Sequence, residues 1–129
     1  MKNLTMIMGA ALILTGCAAH GPALKNCTNP PISRITIIFT KNSEIRVSPP
    51  TKTTYQGNIL RFKLTGESGT TVKVTGKSTG PDASWIEGDG LGGSFFDVCV
   101  DPAQAEDTYG YNIEVVGVGT LDPRVIVRR

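Results

Sequence analysis

From Arg34 onward the apolar residues recur at every second position, and no stretch of this region carries a helical stripe. A period of two puts alternate side chains on opposite faces of an extended chain, so each such segment needs a sheet that buries one face. Leu60, Phe62 and Leu64 alternate with Ile59, Arg61, Lys63 and Thr65, which separates a buried face from a wet one. Thr70-Thr71-Val72-Lys73-Val74 and Tyr109-Gly110-Tyr111-Asn112-Ile113-Glu114-Val115 repeat the pattern. Val, Ile and Thr dominate these runs, and clusters of Gly, Pro, Asn and Asp divide them. Strands are predicted over residues 34–40, 44–48, 58–65, 70–75, 94–100, 109–117 and 124–128, with one helical turn over 103–107 behind Asp101-Pro102. The expected fold is all-β: an antiparallel or mixed β-sandwich of about seven or eight short strands over residues 34–129.

The first residues read as an address. Lys2 gives a charged start, and Leu4 to Leu14 then runs as mostly apolar sequence. At about 1.5 Å per residue this run covers roughly half of a 30 Å hydrocarbon core, too little for a transmembrane helix but suited to a secretory signal peptide. It ends in Leu14-Thr15-Gly16-Cys17, which resembles the lipobox of bacterial lipoproteins. The resemblance implies that residues 1–16 are cleaved, that Cys17 is lipidated, and that the membrane is reached through this N-terminal lipid. Ala18 follows the Cys where inner-membrane retention typically places Asp, so the implied location is the bacterial outer membrane, facing the periplasm. Residues 17–33 hold Gly21, Pro22, Pro30 and Pro31 without periodicity and read as a lipidated tether. The ten residues from Cys17 to Cys27 reach at most about 33 Å, which keeps the domain near its membrane.

The chain has three Cys in 129 residues. With Cys17 lipidated, Cys27 and Cys99 remain in an oxidising compartment, and an even remainder suggests one structural disulfide. Two free thiols are the other reading, whereas a redox pair lacks both a C-x-x-C spacing and a flanking His. All three Met (Met1, Met6, Met8) leave with the signal, and the only His, His20, lies in the tether. Ser-His and Cys-His catalysis therefore have no base within the domain. A formal net charge of +2 offers no basic footprint for nucleic acid.

Three segments together resemble the cupredoxin-like β-sandwich. They are Val47-x-Pro49-Pro50 leading into Gly57-x-Ile59 and Phe62-Lys63-Leu64, then Asp107-Thr108-Tyr109-Gly110-Tyr111-x-Ile113, then Val125-Ile126-Val127. The second segment equally resembles the tyrosine corner of immunoglobulin-like sandwiches. The resemblance runs from Glu44 to the C-terminus and implies the fold without the copper. A blue-copper site needs two imidazoles, a thiolate and usually a weak thioether. Ile113 stands where the ligand Cys belongs, and neither His nor Met lies nearby. No cofactor is expected.

The longest stretch without periodicity is 76–93, with six Gly and the only Trp. Long loops in compact domains are usually functional or disordered. Trp85 with Ile86, Asp82, Glu87 and Asp89 form the candidate partner contact; packing of Trp85 over the core is the plainer reading. The three carboxylates fit no EF-hand spacing, and Gly88-x-Gly90-x-x-Gly93 precedes a strand rather than the helix a dinucleotide site requires. The expected function is non-catalytic: an envelope lipoprotein acting as a protein-binding or structural module. The alternative is a periplasmic inhibitor or immunity lipoprotein that blocks an enzyme through the 76–93 loop.

Overall fold

The computed structural model describes residues 27, 31–40 and 44–129. The predicted signal peptide, the lipobox with Cys17, and most of the tether with His20 lie outside these residues. Ten strands follow one another: β1 (Ile32–Phe39), β2 (Ile45–Ser48), β3 (Thr51–Tyr55), β4 (Ile59–Thr65), β5 (Thr71–Gly76), β6 (Glu87–Leu91), β7 (Phe95–Cys99), β8 (Asp107–Val115), β9 (Gly119–Leu121) and β10 (Arg124–Arg128). The fold is all-β, and the 103–107 segment forms a turn in which Gln104 N–H donates to the Asp101 carbonyl at 2.9 Å rather than a helical turn.

Two mixed sheets form a sandwich. The first has the order β2-β1-β4-β7; the second runs β3-β10-β8-β5-β6, with β9 also on β8. β1 runs parallel to β4, and β3 parallel to β10, while the other pairs are antiparallel. β9 and β10 continue one register against β8, broken only around Asp122-Pro123. The alternation read from β4 holds: Leu60, Phe62 and Leu64 are buried, and Lys63 and Thr65 are exposed. Ile35, Ile37 and Phe39 of β1, Val72 and Val74 of β5, and Tyr109, Tyr111, Ile113 and Val115 of β8 complete the facing layers. Phe62 joins them, stacked on Phe96 at 5.0 Å and edge-on to Tyr111 at 5.6 Å.

Each of the seven predicted strands has a counterpart, and three strands escaped prediction. β3 is Thr-rich and buries only Thr54, whose hydroxyl meets Ser33 of β1 at 2.8 Å across the sandwich. β6 lies within the expected 76–93 loop. Its inward positions are Gly88 and Gly90, because the space a side chain would take is filled by the Phe96 ring and by Leu64 and Ser94. The strand is therefore real, but its apolar alternation is supplied by its neighbours. β9 is only three residues long. The tether boundary at 33 also moves: Ile32 and Ser33 pair with Ile59 and Leu60, so the domain begins with β1. Cys27 forms a disulfide with Cys99 at the end of β7, with Cα atoms 5.7 Å apart.

Candidate binding surface

The stretch 77–86 folds back over one end of the sandwich. Ala83 N–H donates to the Lys77 carbonyl at 2.8 Å, Ile86 N–H to Ala83 at 2.9 Å, and Lys77 N–H to Gly110 at 2.9 Å. Ala83 and Ile86 are fully buried, and Trp85 packs edge-on against Tyr109 with ring centroids 5.2 Å apart. Tyr109 donates to the Ala105 carbonyl at 2.7 Å and accepts from Gln104 Nε2 at 2.9 Å. This upstream backbone bond is the tyrosine corner that the Asp107–Tyr111 motif resembled. Trp85 and Ile86 thus close the core instead of forming a free finger. Ile86, with no exposed surface, is removed from the candidate contact residues.

Asp82, Glu87 and Asp89 end up in different settings. Asp82 is exposed and accepts the Ser84 N–H at 3.0 Å, a bond that holds its carboxyl below the usual range. Glu87 and Asp89 project from β6 on the outer face of the second sheet, opposite Thr75 and Lys73 of β5. On that face Lys73 lies between Asp89 and Glu114 of β8. The next row outward joins Leu91 to Thr71, whose carbonyl accepts from Val116 N–H at 3.0 Å. Leu91 and Val116 are 51% and 45% exposed, so two apolar side chains sit beside a row of carboxylates. The sequence hid this pairing: Leu91 belongs to the glycine-masked strand, and Val116, inside the strand predicted over 109–117, lies just past the end of β8. An apolar pair rimmed by charge is the composition of a small protein-contact surface.

The outer face of the first sheet is the more basic of the two, since Arg124, Arg128 and Lys73 on the second sheet are matched by Glu87, Asp89 and Glu114. Its rows are Ile32–Ile59–Cys99, then Arg34–Arg61–Asp97, then Ser48–Thr36–Lys63–Phe95, then Arg46–Ile38–Thr65. Asp97 is held by Arg61 through two bonds of 2.8 and 3.0 Å, and the same guanidinium lies 4.2 Å from the centre of the Phe95 ring. The bond to Asp97 raises the Arg61 pKa further, so this side chain stays charged.

No protein-family model matches the chain, and no curated protein matches it. Among solved structures, the chain is similar to a purple cupredoxin from Nitrosopumilus maritimus, with a TM-score of 0.51 and 12% identity over 74% of this chain and 99% of the other. It is also similar to a reduced Cu(I) form of an amicyanin variant at pH 4, with a TM-score of 0.46 and 11% identity over 82% of this chain and 89% of that one. The first likeness shows a cupredoxin-like β fold. The donors present do not fit its metal: both described cysteines are joined to each other, and Ile113 is buried in the core. Among the described residues no group of three or more His, Cys, Asp or Glu is arranged to hold an ion.

Proposed function

We propose that this chain is a lipoprotein of the bacterial cell envelope, anchored in the outer membrane through Cys17 and facing the periplasm, and that its sandwich is a non-catalytic protein-binding module. The observation that supports this reading is the Cys27–Cys99 disulfide. It fastens the chain, ten residues after Cys17, to the end of β7 in the first sheet. The outer face of the second sheet, with Leu91, Val116, Asp89 and Glu114, is then the face left to meet a partner. The alternative of an enzyme inhibitor acting through 76–93 loses its wedge, since Trp85 and Ile86 face the core.

A photo-reactive residue placed at Leu91 tests the binding reading in intact cells. It is expected to trap one envelope protein, whereas the same probe at Thr65 of β4, on the outer face of the other sheet, traps none. Val116→Ser with Glu114→Gln in the probe-bearing chain weakens that adduct while the domain keeps its melting temperature. Absence of a protein adduct at Leu91, or equal trapping at Thr65, refutes the binding surface. The mass of the purified chain tests the anchor separately: it shows acyl groups on Cys17, or the lipoprotein reading fails.

A further inference from the structure

We propose that the outer face of the first sheet lies flat on the anionic phospholipid headgroups of the leaflet that holds the anchor. The face gathers Arg34, Arg46, Arg61 and Lys63 within three adjacent strands. Its one strand carboxylate, Asp97, is occupied by Arg61, and no carboxylate among the described residues pairs with Arg34, Arg46 or Lys63. Glu44 and Glu67 lie beyond its far rim, past the row of Arg46 and Thr65, away from Cys99. Phe95 and Ile32 stand among these cations, 55% and 37% exposed. Basic side chains interspersed with exposed apolar ones are the composition of surfaces that rest in a headgroup layer, where cations meet phosphates and an aromatic ring sits at the boundary.

The chain itself points the same way. Cys99 shares this face with Asp97 by strand alternation, so Cys27 is fastened at its edge. The ten steps of chain from Cys17 to Cys27 reach about 33 Å at most and include Lys25 without any acid; no Asp or Glu occurs anywhere before Glu44. A short tether leaving from the basic face brings that face, rather than the sheet carrying Glu87, Asp89 and Glu114, against the bilayer.

The proposal rests on the lipid-anchor reading, and its test is independent of acylation. The mature-length chain carrying Cys17→Ser, which has no lipid, is sedimented with vesicles of phosphatidylglycerol or of phosphatidylcholine. Binding is expected to phosphatidylglycerol alone and to weaken as salt rises. Each basic side chain near an anionic surface is worth about a fivefold gain. Arg34→Gln with Lys63→Gln therefore lowers binding about 25-fold, whereas Arg124→Gln with Arg128→Gln, an equal loss of charge from the other sheet, leaves it within about twofold. All four side chains are exposed, so the fold is kept. Equal losses from both pairs, or no preference for the anionic vesicle, overturns the proposal. Acylated Cys17 without this binding removes the face and keeps the anchor; binding by a chain whose Cys17 is never acylated in cells does the reverse.

Discussion

Tyr111→Phe is expected to make this protein more stable, against the usual sign for a buried tyrosine. Tyr111 has no exposed surface, and its hydroxyl is buried without a hydrogen-bond partner. Burying a hydroxyl unpaired costs about 1–3 kcal/mol in mutational series. Removing the oxygen leaves a void of about 10–15 Å³, which gives back roughly 0.3 kcal/mol. The ring stays in place edge-on to Phe62, so the net gain is about 1 kcal/mol, or about 4–8 °C in a domain of this size. Tyr109→Phe is the matched control: it takes the donor from the Ala105 carbonyl and the acceptor from Gln104, and costs about 1–2 kcal/mol. Urea unfolding followed by the fluorescence of Trp85, which contacts the Tyr109 ring, measures both. A second arm uses pH. Burial raises the Tyr111 pKa well above the ordinary value near 10, so below that pH the hydroxyl is protonated in both states and its share of stability is constant. Above it, the unfolded chain ionises while the folded one does not, and stability falls by up to about 1.4 kcal/mol per pH unit. Tyr111→Phe removes that part of the alkaline loss. If Tyr111→Phe instead destabilises as much as Tyr109→Phe, the hydroxyl is satisfied and the reasoning is wrong.

Three further outcomes are expected. Replacing Cys27 and Cys99 together with Ser opens a loop spanning 72 residues and lowers stability by about 4 kcal/mol in the chain-entropy treatment, measured by urea titration. Gly76→Ala places a Cβ on the backbone carbonyl of Ala83 and yields a protein with a sharply lowered melting temperature, whereas Gly69→Ala, where nothing lies within 4 Å, is close to neutral. Ser33→Ala leaves the buried Thr54 hydroxyl without its 2.8 Å partner and costs about 1–3 kcal/mol; adding Thr54→Val recovers part of this loss, so a double-mutant cycle shows coupling.

The strands legible in the sequence were those that carry their own apolar face. β4, β5 and β8 each alternate Leu, Phe, Val, Ile or Tyr with polar residues, and each fell close to its expected bounds. β6 was illegible for a physical reason. Its inward residues are Gly88 and Gly90 because Phe96 and Leu64 from the other sheet occupy the volume that side chains would fill. A period-two pattern made by absent side chains looks like a flexible loop until the opposing sheet is in place. The same blind spot affected the site. Of the candidate contact residues, Glu87 and Asp89 are exposed on β6, but Ile86 follows the core, and Leu91 follows the outer face. Only the register of β6 against β5 separates them. The more basic character of the first outer face was likewise invisible in a net charge of +2, because it arises when β1, β2 and β4 bring Arg34, Arg46, Arg61 and Lys63 together from separate segments.

The disulfide has a mechanical consequence besides its stability. Without it, the first fixed point of the chain is Ile32, where β1 begins to pair with β4. About fifteen residues then separate Cys17 from the domain, a reach of roughly 50 Å. With it, the fixed point moves back to Cys27, and the reach falls to about 33 Å. It also moves sideways, from β1 across β4 to β7, onto the row that starts the basic face. Strand spacing of about 4.8 Å makes that lateral step about 10 Å, comparable with the distance between the two sheets. Under the proposed anchoring at Cys17, the bond holds the domain closer to the membrane and sets which side of it leads. Stability alone does not require that the bond join a residue outside the sandwich to the end of a strand already paired with β4. Linking them there makes sense when the orientation of the domain on its tether is what the bond secures.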